Sequence, residues 1–236
     1  MAVSCYLAMT AAEMQYADQL PDNVAYMACH FSPYATGLSN IPQALPPDAM
    51  LIVNDRTPIS GHDPELIAQQ LSQIVQDFSC SSVLLDFQRT DYPETQSLAA
   101  HLTHALPCPV GVSELYAQGL NCPVFLSSIP LNQRLDIVMA LWQDREIWLE
   151  AAPDTGSITV TANGSTYRPL PLCQPPEDCF IHDRLYCKYR TKVLPDSIEF
   201  MLYRDAAILQ ELLTAGEAAG ITKFIGLYQQ REHLTN

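Results

Sequence analysis

The spacing of apolar positions changes at Cys80, and that change organises the reading of the chain. Before it, Leu66, Ile67, Leu71, Ile74, Val75 and Phe78 recur at helical spacing. They follow a helix start made of Asp63 as N-cap, Pro64 in the first turn and Glu65 at the positive end of the helix dipole. After it, Val83-Leu84-Leu85 is an uninterrupted apolar run, the pattern of a parallel strand buried on both faces. That run ends in Asp86-Phe87-Gln88-Arg89. Polar groups where a parallel strand leaves the core occupy the edge at which barrels and open sheets carry their chemistry.

Read the same way, the rest of the chain alternates. Strands are predicted over 3–9, 24–31, 50–53, 82–87, 109–116, 123–128, 198–203 and 224–228. Helices are predicted over 11–20, 95–106, 134–142 and 206–219. A Pro-, Ser- and Asn-rich loop fills 32–48. From Glu146 the alternation fails: 147–151, 158–161 with an Asn163-Gly164 turn, and 184–193 read as antiparallel strands, with an irregular 169–178 holding four prolines. The prediction is an α/β protein, one (β/α)8 barrel domain over 1–236, with an antiparallel insertion at about 146–193 before the seventh strand.

A barrel gathers the ends of its strands on one rim, so the candidate site follows from the strand ends. Asn54, Asp55 and Arg56 end the third predicted strand, Asp86 and Gln88 the fourth, and Glu114 the fifth. Asp86 and Gln88 are two apart and leave the same face. Tyr116, Tyr203 and Tyr228, with His30 and Tyr34, supply rings near strand ends. Such tyrosines stack on flat ligands, or bury a ring and wet a hydroxyl. Strand-end carboxylates also occur as helix caps and ion pairs, and that reading stands ahead of a catalytic one. Two carboxylates across a cleft are the minimum for glycoside hydrolysis.

The helix-to-strand unit resembles the third helix and fourth strand of family-18 glycoside hydrolases, the chitinase-like (β/α)8 barrels. Their D-x-x-D-x-D-x-E motif falls here on Ser81, Leu84, Asp86 and Gln88, so only Asp86 matches. The stretch 198–230 has the layout of the family's closing strand, helix and strand, with Tyr228 near the closing aromatic. The resemblance implies a barrel in which Asp86 orients a substrate acetamido group and position 88 donates a proton. Gln88 has no ionisable proton near neutral pH and cannot do so. The expectation is a chitinase-like barrel that has lost hydrolysis and binds a glycan or other polar small molecule. The alternative is a glycoside hydrolase with its acid relocated to Glu114 or Asp55. A third reading, an interaction protein, rests on the insertion.

Charge narrows the partners. Twenty-six acidic against 12 basic residues give −14, which argues against nucleic acid and anionic membrane surfaces. No apolar stretch reaches the length of a membrane span, and the N-terminus lacks a basic n-region. The eight cysteines have no C-x-x-C pair and read as reduced thiols of a cytoplasmic protein. Cys173, Cys179, His182 and Cys187 are too widely spaced for a usual zinc site. No nucleotide, phosphate or serine-hydrolase motif is present, and no cofactor or metal is implied.

Overall fold

Eight parallel strands close into a barrel in the computed structural model, which describes residues 3–34 and 36–233. The first eight strands of the chain are β1 (Ser4–Met9), β2 (Val24–Phe31), β3 (Leu38–Ser39), β4 (Met50–Asn54), β5 (Ser82–Asp86), β6 (Val110–Ser113), β7 (Val124–Leu126) and β8 (Ile147–Glu150). Five more follow, β9 (Asp154–Thr161), β10 (Gly164–Pro169), β11 (Phe180–His182), β12 (Cys187–Leu194) and β13 (Ser197–Arg204), and the last is β14 (Ile221–Leu227). The barrel order is β1-β14-β8-β7-β6-β5-β4-β2, closed by pairing of β1 with β2. The short β3 adds to β2 as an antiparallel hairpin.

The helices are α1 (Ala11–Tyr16), α2 (Pro64–Phe78), α3 (Glu94–Ala105), α4 (Glu114–Ala117), α5 (Leu135–Leu141) and α6 (Ala206–Ala218). As predicted, Asp63 caps α2 by accepting the amide hydrogen of Glu65, and Pro64 opens the helix. The helix buries Ile67, Ala68, Leu71, Ile74 and Val75, and ends at Ser79 in the left-handed region. The chain then enters β5 with Val83, Leu84 and Leu85 at most 1% exposed.

Two compact units emerge. The first comprises residues 1–127, 144–150 and 222–228, and holds the barrel. Its interior is filled by Tyr6, Ala8, Ala25, Met50, Ile52, Leu84, Phe125, Trp148 and Ile225. Trp148 fixes its neighbour across the barrel: a Cβ on Gly111 would lie 2.3 Å from the indole ring, so only glycine fits. Lys223 also enters this interior, with Nζ 4.0 Å from the Trp148 ring centre and donating to Ser82 Oγ at 3.1 Å. Burial pushes its pKa down.

The second unit comprises residues 128–143, 151–221 and 229–236. Its sheet is antiparallel throughout, in the order β10-β9-β13-β12-β11. Leu131, Cys187 and Leu202 form its small core. Arg204, 2% exposed, donates to the carbonyls of Ile129 and Tyr186 at 2.8 and 3.1 Å.

The barrel and its antiparallel addition match the expectation, but the seventh strand is a different segment. It is β8, which the sequence reading placed in the insertion, and 198–203 lies within β13 of the antiparallel sheet. The added sheet therefore lies in the chain between the seventh and eighth barrel strands. The pattern agrees with this outcome: Ile198, Phe200 and Leu202 alternate as in a half-covered antiparallel strand, whereas Ile147-Trp148-Leu149 is a continuous run, at most 1% exposed. The fifth barrel strand, β6, stops at Ser113, so Glu114 and Tyr116 belong to α4 rather than to a strand.

Candidate functional site

At the C-terminal ends of the barrel strands, register sets the candidate residues in a row. His30 of β2 stands opposite Asn54 of β4, and Asn54 opposite Asp86 of β5. The row is held from below by an irregularity. The β2–β4 register shifts between Tyr26 and Cys29, and the Asn54 side-chain amide donates to the carbonyls of Met27 and Cys29 at 3.2 and 3.1 Å. Its oxygen accepts the amide hydrogen of Arg56 at 3.2 Å. Both ends of the Asn54 side chain thus serve the backbone.

Asp55 is 4% exposed, and one of its oxygens accepts the amide hydrogens of Gln88 and Arg89 at 3.0 and 2.8 Å. The carboxylate ties the end of β4 to the segment leaving β5 and so places Gln88. From there the Gln88 side-chain amide donates to Asp86 Oδ1 at 2.6 Å. Asp86 is half-buried. Desolvation pushes its pKa up, the Gln88 hydrogen bond opposes this, and the nearby Asp55 charge adds to it.

Asn54, Asp55, Arg56, Asp86 and Gln88 all line one open cavity of about 1430 Å³. Its floor is apolar, with Ala8, Met27, Ile52, Leu84, Phe125 and Ile225. Glu150, the last residue of β8, lines it too, a carboxylate that sequence reasoning missed because β8 was taken out of the barrel. The signal was present: Ile147-Trp148-Leu149-Glu150 repeats the form of Val83-Leu84-Leu85-Asp86.

Of the other predicted residues His30 also lines the cavity, whereas Glu114, Tyr116, Tyr203, Tyr228 and Tyr34 are not among the lining residues. Glu114 opens α4 and accepts from Ser127 Oγ at 3.4 Å; burial pushes its carboxyl pKa up. Tyr116 is buried, its ring edge-on to Phe87 and its hydroxyl donating to the Arg89 carbonyl. Tyr203 belongs to the antiparallel sheet of the second unit, and Tyr228 begins a final 3-10 turn. Tyr34 is 83% exposed.

Among the described residues no group of three or more His, Cys, Asp or Glu is placed to hold a metal, and the eight cysteines are unpaired. Burial pushes the thiol of Cys29 up to about 12 and those of Cys80 and Cys187 up to about 11, which makes them poor nucleophiles. No described helix is long and apolar enough to cross a membrane.

The closed barrel, with its acidic strand-end cavity and an antiparallel sheet carried between the last two barrel strands, has the fold of the chitinase-like family-18 glycoside hydrolases. Among solved structures it is similar to a family-18 N-acetylglucosaminidase from Paenibacillus barengoltzii, at 9% identity over 96% of this chain and 95% of that one, with a TM-score of 0.56. It is also similar to a family-18 chitinase from Cycas revoluta in complex with (GlcNAc)3, at 8% identity over 98% and 96%, TM-score 0.54. The spore cortex-lytic enzyme SleL of Bacillus cereus matches at 8% identity over 95% of this chain and 70% of that one, TM-score 0.53. No protein-family model matches the sequence, and no curated protein does. At these identities the likeness is one of fold.

Proposed function

We propose that this chain is a chitinase-like barrel that binds a glycan or similar hydroxyl-rich ligand at its strand-end cavity without hydrolysing chitin. One observation carries the reading. At the position where the family resemblance puts the proton donor, Gln88 offers an amide, and that amide is spent as a donor to Asp86. An amide can position a ligand hydroxyl but cannot protonate a leaving oxygen, a contribution worth roughly 10²–10⁴-fold in rate. The mouth offers acceptors on Asp86 and Glu150, and Arg56 as a donor, the groups a polyhydroxy ligand needs. The carboxylates outnumber Arg56 there, which favours a neutral or cationic ligand over an anionic one.

The reading with a relocated acid loses support at Asp55, whose oxygen already holds two backbone amides. It keeps some at Glu114, where burial favours the protonated form. Calorimetric titration with a methyl glycoside of N-acetylglucosamine tests the binding proposal. Saturable binding weakened roughly tenfold or more by Asp86→Ala is expected, as for loss of a hydrogen bond to a charged group. Binding of equal strength in the variant would reject Asp86 as a ligand-facing group.

A further inference from the structure

The cavity is larger than the polar row at the strand ends and changes character as it leaves the barrel. From Asp86 and Asn54 it continues outward between α1 and the segment 40–46. On the α1 side it meets Ala11, Ala12, Met14 and Leu20; on the other it meets Ile41, Pro42, Ala44 and Leu45. These walls are mostly aliphatic, with Gln15 and Gln43 among them, and only partly covered: α1 buries none of its residues, and Leu20 and Ile41 are 37% and 41% exposed.

Both walls are nevertheless held in place. Thr10 and Glu13 form a reciprocal capping box that fixes the start of α1. The Tyr26 hydroxyl donates to the Asn40 carbonyl at 2.8 Å, and Asn40 itself sits in the left-handed region at φ 52°. Two prolines, Pro42 and Pro46, stiffen the segment that follows. An apolar trough with fixed walls, continuous with a polar pocket, is suited to a ligand that is itself polar at one end and apolar at the other.

A chain of sugars asks for something different. The apolar face of a pyranose is flat and rigid, and it is best met by an exposed aromatic ring. Among the described residues lining this cavity, Tyr26 and Phe125 are 2% and 3% exposed, and the Tyr26 hydroxyl is already committed. Along the trough most side chains are alanine, methionine, leucine, isoleucine and proline, which conform to a flexible alkyl chain, with Gln15 and Gln43 interspersed.

We propose that the ligand is a glycoside with an alkyl aglycone, its sugar at Asp86 and Glu150 and its alkyl chain in the trough between α1 and segment 40–46. The proposal rests on the glycan-binding reading above and names the class of ligand. Calorimetry with N-acetylglucosaminides from methyl to hexyl, below their critical micelle concentrations, is the test, with N-acetylglucosamine oligomers and plain alkanols as parallel series. Affinity is expected to rise with each methylene, up to roughly fourfold where the group is fully buried, and by at least tenfold from methyl to hexyl. Leu20→Ser combined with Ile41→Ser, both partly exposed positions, should flatten that slope. Affinity that climbs with the number of sugars and ignores alkyl length would overturn this inference and leave the glycan reading standing. Alkanols binding as tightly as alkyl glycosides, with Asp86→Ala without effect, would overturn both. Absence of binding in every series would do the same.

Discussion

Asp86 pays for its position in stability. Its carboxyl sits half-buried at the cavity mouth, and desolvation raises its pKa above the ordinary value. A raised folded-state pKa means that the folded protein holds the proton at a pH where the unfolded chain has released it. Stability therefore falls as pH rises through that window, and near neutral pH the ionised group costs folding free energy. Asp86→Asn removes the ionisation and keeps an oxygen to accept from Gln88. It is expected to stabilise the barrel at neutral pH, on the order of 0.5–1 kcal/mol. The gain should shrink as pH is lowered through the usual carboxylate range and vanish below it, where Asp86 is neutral in both states. Guanidinium unfolding midpoints of the two proteins at several pH values measure this. A gain independent of pH, or a loss, would contradict it. At this scale the sequence was legible where a residue sits at a strand end: Asp86, Gln88, Asn54 and Arg56 all reach the cavity. Asp55 reaches it too, yet nothing in its spacing reveals that its carboxylate would be occupied by two backbone amides.

Between elements, that same Asp55 is the strut joining β4 to the segment after β5. Asp55→Ala would leave the amides of Gln88 and Arg89 without their acceptor, at a cost of about 2–3 kcal/mol, and would release Gln88 from its place beside Asp86. Asp55→Asn keeps an acceptor and should cost less. Urea midpoints rank the three proteins; an alanine variant as stable as the parent would show that the strut does not matter. The elements themselves were mostly readable. The caps and apolar spacing of α2 and the run of β5 emerged as the pattern implied. Helix α1 proved shorter than its apolar pattern, ending at Tyr16 rather than Leu20. The seventh strand differs from the expectation because 198–203 leads into a helix and the final strand, as a barrel unit would, whereas β8 leads straight into the antiparallel strands. Gly111 carried no visible signal, since its need for glycine arises from Trp148, distant in sequence.

The whole molecule combines a barrel unit and an antiparallel unit, each with its own core. Only Arg56, Arg89, Arg145 and Lys223 bring positive charge to the barrel unit, and Arg56 alone of these lines the cavity. Asp55, Asp86 and Glu150 line the same space, so salt should leave binding of a neutral glycoside almost unchanged. What the sequence could not convey at this scale is the trough. It depends on how α1 and segment 40–46 face each other across the mouth, and neither has a motif.

A family-18 fold with an amide at position 88 should leave N-acetylglucosamine oligomers intact, and a hydrolysis assay decides this. N-acetylglucosamine oligomers are incubated with the purified native protein at high protein concentration, and products are followed by mass spectrometry. No release of shorter oligomers above the protein-free control is expected. Release by the native protein that is lost in Glu114→Gln or Glu150→Gln would contradict it and make the barrel a hydrolase with its acid on another strand.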